Sequence, residues 1–81
     1  MLNYTVMKVK LTAFGMLTEI LEKHSVAEAA DTDELLAGLK IKFPALSAQK
    51  ILVAVNQQIV KQNTPLREDD QVALMPPYSG G

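Results

Sequence analysis

The chain has 81 residues, a formal net charge of −1, 48% hydrophobic and 21% charged residues, which suits one small folded domain spanning residues 1–81. It has no cysteine, which excludes a disulfide framework, a thiolate zinc site and a cysteine nucleophile. Lys and Arg are scattered singly rather than in a basic stripe, apolar runs such as Ile51-Leu52-Val53-Ala54-Val55 are too short for a bilayer, and Met1-Leu2-Asn3-Tyr4 lacks a signal-peptide pattern; the expectation is a cytoplasmic protein that binds neither nucleic acid nor membrane.

Residues 4–13 alternate, with Met7, Val9, Leu11 and Ala13 on one face and Lys8, Lys10 and Thr12 on the other, which predicts a strand. Phe14-Gly15 breaks that alternation. Met16, Leu17, Ile20 and Leu21 then recur at helical spacing and predict a short helix running to Lys23-His24. Residues 25–30 are ambiguous, with room for a short strand through Val26. Asp31-Thr32-Asp33-Glu34 reads as a helix start, because Asp31 can accept a backbone bond while Glu34 reaches back. Leu35, Leu36 and Leu39 form the stripe of that helix. Pro44 must end it, since proline lacks the N–H and crowds the preceding turn.

Ile51-Leu52-Val53-Ala54-Val55 is apolar on both faces, as expected of a strand inside a sheet. Asn56-Gln57 predicts a turn and Ile59-Val60 a short return strand. Asn63-Thr64-Pro65-Leu66 and Arg67-Glu68-Asp69-Asp70 read as polar loops. In the last strand Val72 and Leu74 share one face, Ala73 and Met75 the other, and Pro76-Pro77 stops pairing. Strands interspersed with helices packed on one face of a mixed sheet indicate an α+β domain.

The sequence finishes in Pro76-Pro77-Tyr78-Ser79-Gly80-Gly81. The prolines stiffen the exit from the strand and aim the tail away from the body. Gly80 and Gly81 carry no Cβ, so they make a thin, flexible thread able to enter a narrow channel. A carboxylate on Gly81 is a poor electrophile until it becomes an acyl adenylate. A sulfur nucleophile can then convert it to a thiocarboxylate, so that sulfur rides on the terminus of a protein that has no cysteine. A frayed end is the bland alternative for Gly-Gly alone, but here the pair follows a Pro-Pro that directly ends a strand.

Val53-Ala54-Val55-Asn56-Gln57, Pro65-Leu66, Glu68-Asp69-Asp70 and Val72-Ala73-Leu74-Met75-Pro76-Pro77-Tyr78-Ser79-Gly80-Gly81 together resemble the small subunit of molybdopterin synthase. Phe14-Gly15-Met16-Leu17-Thr18-Glu19-Ile20 also resembles that family's segment after the first strand. The resemblance runs from about Met7 onward and is strongest near the end. It implies a ubiquitin-like β-grasp fold and a sulfur-carrier role. No cofactor would be bound; a ubiquitin-activating-like enzyme would use ATP to adenylate Gly81. The tail would then thread into the catalytic large subunit, in an assembly of two large and two small subunits. The small subunit would donate sulfur to a pyranopterin precursor without supplying catalytic side chains. Thr18 stands where the family usually has a basic residue, the acidic turn lacks a glycine, and Tyr78 replaces a smaller aliphatic residue.

Met75 lies opposite the face of Val72 and Leu74, and Phe14 departs from the odd-numbered face of the first strand. With Ile59, and with Pro76, Pro77, Tyr78 and Ser79 of the tail, they make a candidate docking surface for the large subunit. The alternative is that the helices cover them. His24 lacks a second ligand for a metal and reads as a helix end facing solvent; no metal site is expected. Ser25, Ser47 and Ser79 lack a base, and capping accounts for Asp31, Asp33 and Glu34. Two other functions stay open: sulfur carriage for thiamine or another pathway, whose carriers share the terminal Gly-Gly but tend to be shorter and lack the Pro-Pro-x-x-Gly-Gly ending, and a ubiquitin-like interaction module, whose binding would survive loss of the tail.

Overall fold

The computed structural model describes residues 6–77. Strand β1, Met7–Ala13, is followed by a short 3-10 helix at Gly15–Glu19 and by β2, His24–Ala29. Helix α1 spans Thr32–Lys42, and a second 3-10 helix occupies Pro44–Ala48. Strands β3 at Leu52–Val55, β4 at Gln58–Val60 and β5 at Gln71–Met75 complete a five-stranded sheet in the order β2-β1-β5-β3-β4. The central pair, β1 and β5, is parallel, and every other pair is antiparallel.

The alternation of β1 does what its pattern predicts. Val9, Leu11 and Ala13 are buried under the helical layer, and β5 sets Val72 beside Leu11 and Leu74 beside Ala13 on the same face. Val53 continues that face in register with Leu74. Leu17, Leu21, Leu35, Leu39, Leu46 and Leu66 close the core from above.

Helix α1 starts where the acidic quartet indicates. Asp31 Oδ1 accepts the Glu34 N–H at 2.8 Å, and Glu34 Oε1 accepts the N–H of Ala30, one residue before the cap, at 2.6 Å. The loop after β4 supplies further partners that the sequence does not reveal. Asn63 Oδ1 accepts the Asp33 N–H at 2.8 Å, and the buried Thr32 hydroxyl accepts the Thr64 N–H at 2.9 Å. Leu66, expected in a polar loop, is instead buried, held by its N–H donating to Ala30 O at 3.0 Å. Pro44 ends α1 as expected and opens the second 3-10 helix, whose Leu46 is fully buried.

Two expectations need correcting. The helix predicted as far as His24 is only the 3-10 helix Gly15–Glu19. Leu17 and Leu21 do point inward, and one α-type bond joins them, Leu21 N–H to Leu17 O at 2.8 Å. Pairing of Thr12 with His24 leaves too short a connection for a longer helix. His24 is therefore the exposed first residue of β2 rather than a helix end. The short strand allowed through Val26 is present: residues 25–29 form most of β2, an edge strand whose Val26 is exposed and whose small residues hide its alternation.

The turn at Asn56-Gln57 is a two-residue hairpin loop, since Val55 pairs with Gln58. Both turn residues have positive φ, 50° and 73°, the type I′ geometry that matches strand twist. Asn56 is fixed there by its side chain: Oδ1 accepts the Gln71 N–H at 3.0 Å and Nδ2 donates to Asp70 Oδ1 at 2.9 Å.

Candidate functional site

Strand parity decides which side chains surround the exit of the chain from β5. The helices cover the face that carries Val72 and Leu74, so Ala73 and Met75 lie on the opposite, uncovered face. Across that face Thr12, Ala73, Ala54 and Ile59 form one row, and Met75 stands beside Leu52 in the next. Phe14 follows β1 in extended conformation, with φ −123° and ψ 158°, and so turns to the same side. Its N–H donates to Leu74 O at 2.9 Å, which holds it against the end of β5.

Phe14 is 45% exposed and Ile59 54% exposed, while Met75, Leu52 and Pro76 are half-buried and Pro77 is exposed. The helices therefore do not cover these side chains. Ile59 sits two strands from β5, about 10 Å across the sheet. The same face turns polar at its other end, where Lys8, Lys10, Glu28 and Gln71 stand together in register. Val26, exposed and paired with Lys10, is apolar there too, but Phe14, Leu52 and Met75 gather at the end from which Pro76 and Pro77 leave. Tyr78, Ser79, Gly80 and Gly81, the remaining candidate residues, and the expected flexible tail lie outside the described residues.

Two residues of this region escape the sequence argument. Leu52 shares the patch beside Met75, but the two-sided apolar run around it conceals its facing. Gly15 adopts φ +60°, and a Cβ there would lie 3.1 Å from Cγ and 3.3 Å from Cδ of Pro76. A glycine just after a strand was the available signal; the proline it faces is distant in sequence. Thr18, the departure from the family's usual basic residue, donates its hydroxyl to Gly15 O at 2.8 Å and so braces this turn.

Among the described residues no three His, Cys, Asp or Glu side chains are grouped to hold a metal ion. No described helix is long and apolar enough to cross a membrane. The chemistry available at this end of the molecule is recognition by an apolar face, next to a chain that leaves the sheet under the constraint of two prolines.

The sequence model of the ThiS family matches residues 11–81, from within β1 to the last glycine. This chain belongs to that family. It is 34% identical over 83 residues to the molybdopterin synthase sulfur carrier subunit of Chlamydomonas reinhardtii, covering 93% of this chain and 100% of the relative. Among solved structures it is similar to a chain in the complex of subunits 1 and 2 of molybdopterin-converting factor from Helicobacter pylori. That likeness has 31% identity and a TM-score of 0.71, and covers 93% of this chain and 100% of the other. Small archaeal modifier protein 1 from Methanosarcina acetivorans superimposes with a TM-score of 0.80 over 95% of this chain and 99% of that one; at 21% identity it speaks to the fold alone. The family member described here has the ubiquitin-like β-grasp fold that its resemblance to molybdopterin synthase small subunits implies.

Proposed function

We propose that this protein is the sulfur-carrier subunit of a molybdopterin synthase, acting through a thiocarboxylate on Gly81. The observation that carries the reading is the 34% identity to the molybdopterin synthase sulfur carrier subunit of Chlamydomonas reinhardtii over its whole length, within a family match that runs from β1 through Gly81. It is supported by the exposed apolar face at the point where the chain leaves β5.

The chemistry proceeds in three steps. A Gly81 carboxylate oxygen attacks the α-phosphorus of ATP on a ubiquitin-activating-like enzyme, releasing pyrophosphate and leaving an acyl adenylate. Hydrosulfide, free or derived from a persulfide and a reducing thiol, attacks the carbonyl carbon and expels AMP. The resulting thiocarboxylate sulfur is the nucleophile delivered to the pyranopterin precursor. No side chain of this protein takes part in bond making; its residues bind, orient and present the terminus.

The partner that receives the tail is a large subunit, a reading supported by the similarity to a chain in the Helicobacter pylori complex of subunits 1 and 2. Phe14, Ile59, Met75 and Leu52 form the docking face, and Pro76, Pro77, Tyr78 and Ser79 lead the chain into the partner. Two large and two small subunits complete the assembly. A preassembled apolar patch suits this role, because it buries area on binding without ordering a loop.

Incubation with ATP, the activating enzyme and a sulfur source is expected to replace one oxygen of Gly81 by sulfur. Mass spectrometry of the C-terminal peptide reads this directly, and the large subunit should then convert the pyranopterin precursor. An unchanged terminus beside demonstrably active partners would refute the proposal. A sulfurated terminus that serves thiazole formation but not the pyranopterin would move the protein to thiamine synthesis.

A further inference from the structure

Gly15 and Pro76 meet where the chain leaves the sheet, and that contact is built from both sides. On one side, Phe14 N–H to Leu74 O at 2.9 Å clamps residue 14 to the last turn of β5. Leu17 N–H to Phe14 O at 3.2 Å and Thr18 Oγ1 to Gly15 O at 2.8 Å then fold the chain tightly over position 15. On the other, Pro76 has one fixed backbone dihedral, so its ring moves only with its backbone. The bare α-carbon of Gly15 leaves room for that ring, whose Cγ would stand 3.1 Å from an added Cβ.

We propose that Gly15 is a positioning residue, the seat of the Pro76 ring, and that this contact sets the direction in which the chain leaves the domain at Pro76 and Pro77. It rests on the reading of the residues that follow as a thread inserted into a partner. A Cβ at position 15 requires Pro76 to give by a few tenths of an ångström. Because the ring is rigid, the displacement passes to the chain beyond it as a rotation. Misplacement of a reacting group by about 1 Å already costs about 100-fold in rate.

The test separates the added Cβ from backbone strain. Gly15→Asn is the principal variant, since asparagine tolerates positive φ while carrying the Cβ. Pro76→Ala removes Cγ and Cδ of the ring, and the double variant combines the two. With the large subunit and the thiocarboxylated full chain, single-turnover sulfur transfer should fall about 10- to 100-fold for Gly15→Asn. Its Kd, governed by the sheet face, should stay within about 3-fold, well under the tenfold that 1.4 kcal/mol represents. The double variant should transfer sulfur as fast as Pro76→Ala alone.

A second readout needs no partner. The chain has no cysteine, so spin labels at Glu28→Cys and Ser79→Cys report one distance. Gly15→Asn should shift that distance distribution and the double variant should not reproduce the shift. An unchanged distribution, or a transfer defect that Pro76→Ala fails to relieve, would overturn the proposal. Should the parent chain prove unable to carry sulfur at all, the functional reading falls while the label distances still judge the contact.

Discussion

Replacing Phe14 by aspartate tests the docking face most cleanly. Full burial of a phenylalanine side chain is worth about 1.5–3 kcal/mol. Phe14 is 45% exposed, so the part at stake in the free protein is about 1–1.5 kcal/mol. For a domain of this size that lowers the melting temperature by about 4–12 °C. The extended backbone of residue 14 at the start of a 3-10 helix suits an aspartate cap, which offsets part of the loss. In the complex the same carboxylate must be desolvated against an apolar surface, at a cost of about 3 kcal/mol, or ~100-fold in Kd. Met75→Asp should behave similarly with a larger stability loss, since Met75 is half-buried. Val72 is 1% exposed on the core face, so Val72→Asp is the unfolding control. Calorimetric titration with the large subunit, alongside melting curves, separates the outcomes. Unimpaired binding by Phe14→Asp would place the docking face elsewhere, and unfolding comparable to Val72→Asp would make Phe14 a core residue.

Deleting Gly81 should abolish sulfur transfer and leave the melting temperature unchanged; a large drop would make the residue structural. Gly38 lies within α1 and a Cβ there meets nothing within 4 Å, so Gly38→Ala should stabilise by about 1 kcal/mol in denaturant titrations. Gln57 holds φ 73° in the β3–β4 turn, and Gln57→Gly should stabilise by about 0.5–1 kcal/mol, read the same way. Asp31→Ala should cost about 1 kcal/mol through loss of the bond to Glu34 N–H. Amide exchange in the first turn of α1 should accelerate with it.

Much of this protein is legible from local chemistry. The alternation of Met7, Val9, Leu11 and Ala13 specifies β1 and its buried face, because period two has only one satisfactory packing. The quartet Asp31-Thr32-Asp33-Glu34 marks the start of α1 and Pro44 its stop, since both act through bonds within a few residues. The parity of Val72, Leu74 and Met75 places the last on the uncovered face, and the motifs from Phe14 to Gly81 taken together carry the resemblance to the family. Four features depended on the tertiary structure. Strand β2 contains Ser25, Ala27 and Ala29, small residues with little intrinsic preference for strand, and it forms because β1 offers its edge. The segment of Met16, Leu17, Ile20 and Leu21 has helical spacing, yet antiparallel pairing of its flanks leaves space for only a 3-10 helix. Asn63 and Thr64 complete the start of α1 across some thirty residues of sequence. Gly15 meets Pro76 only because β1 and β5 run parallel at the centre of the sheet, bringing their ends together. Hydrogen-bond caps and alternation act over a few residues and can be read along the chain; partners supplied from far away in sequence exist only once the sheet has closed.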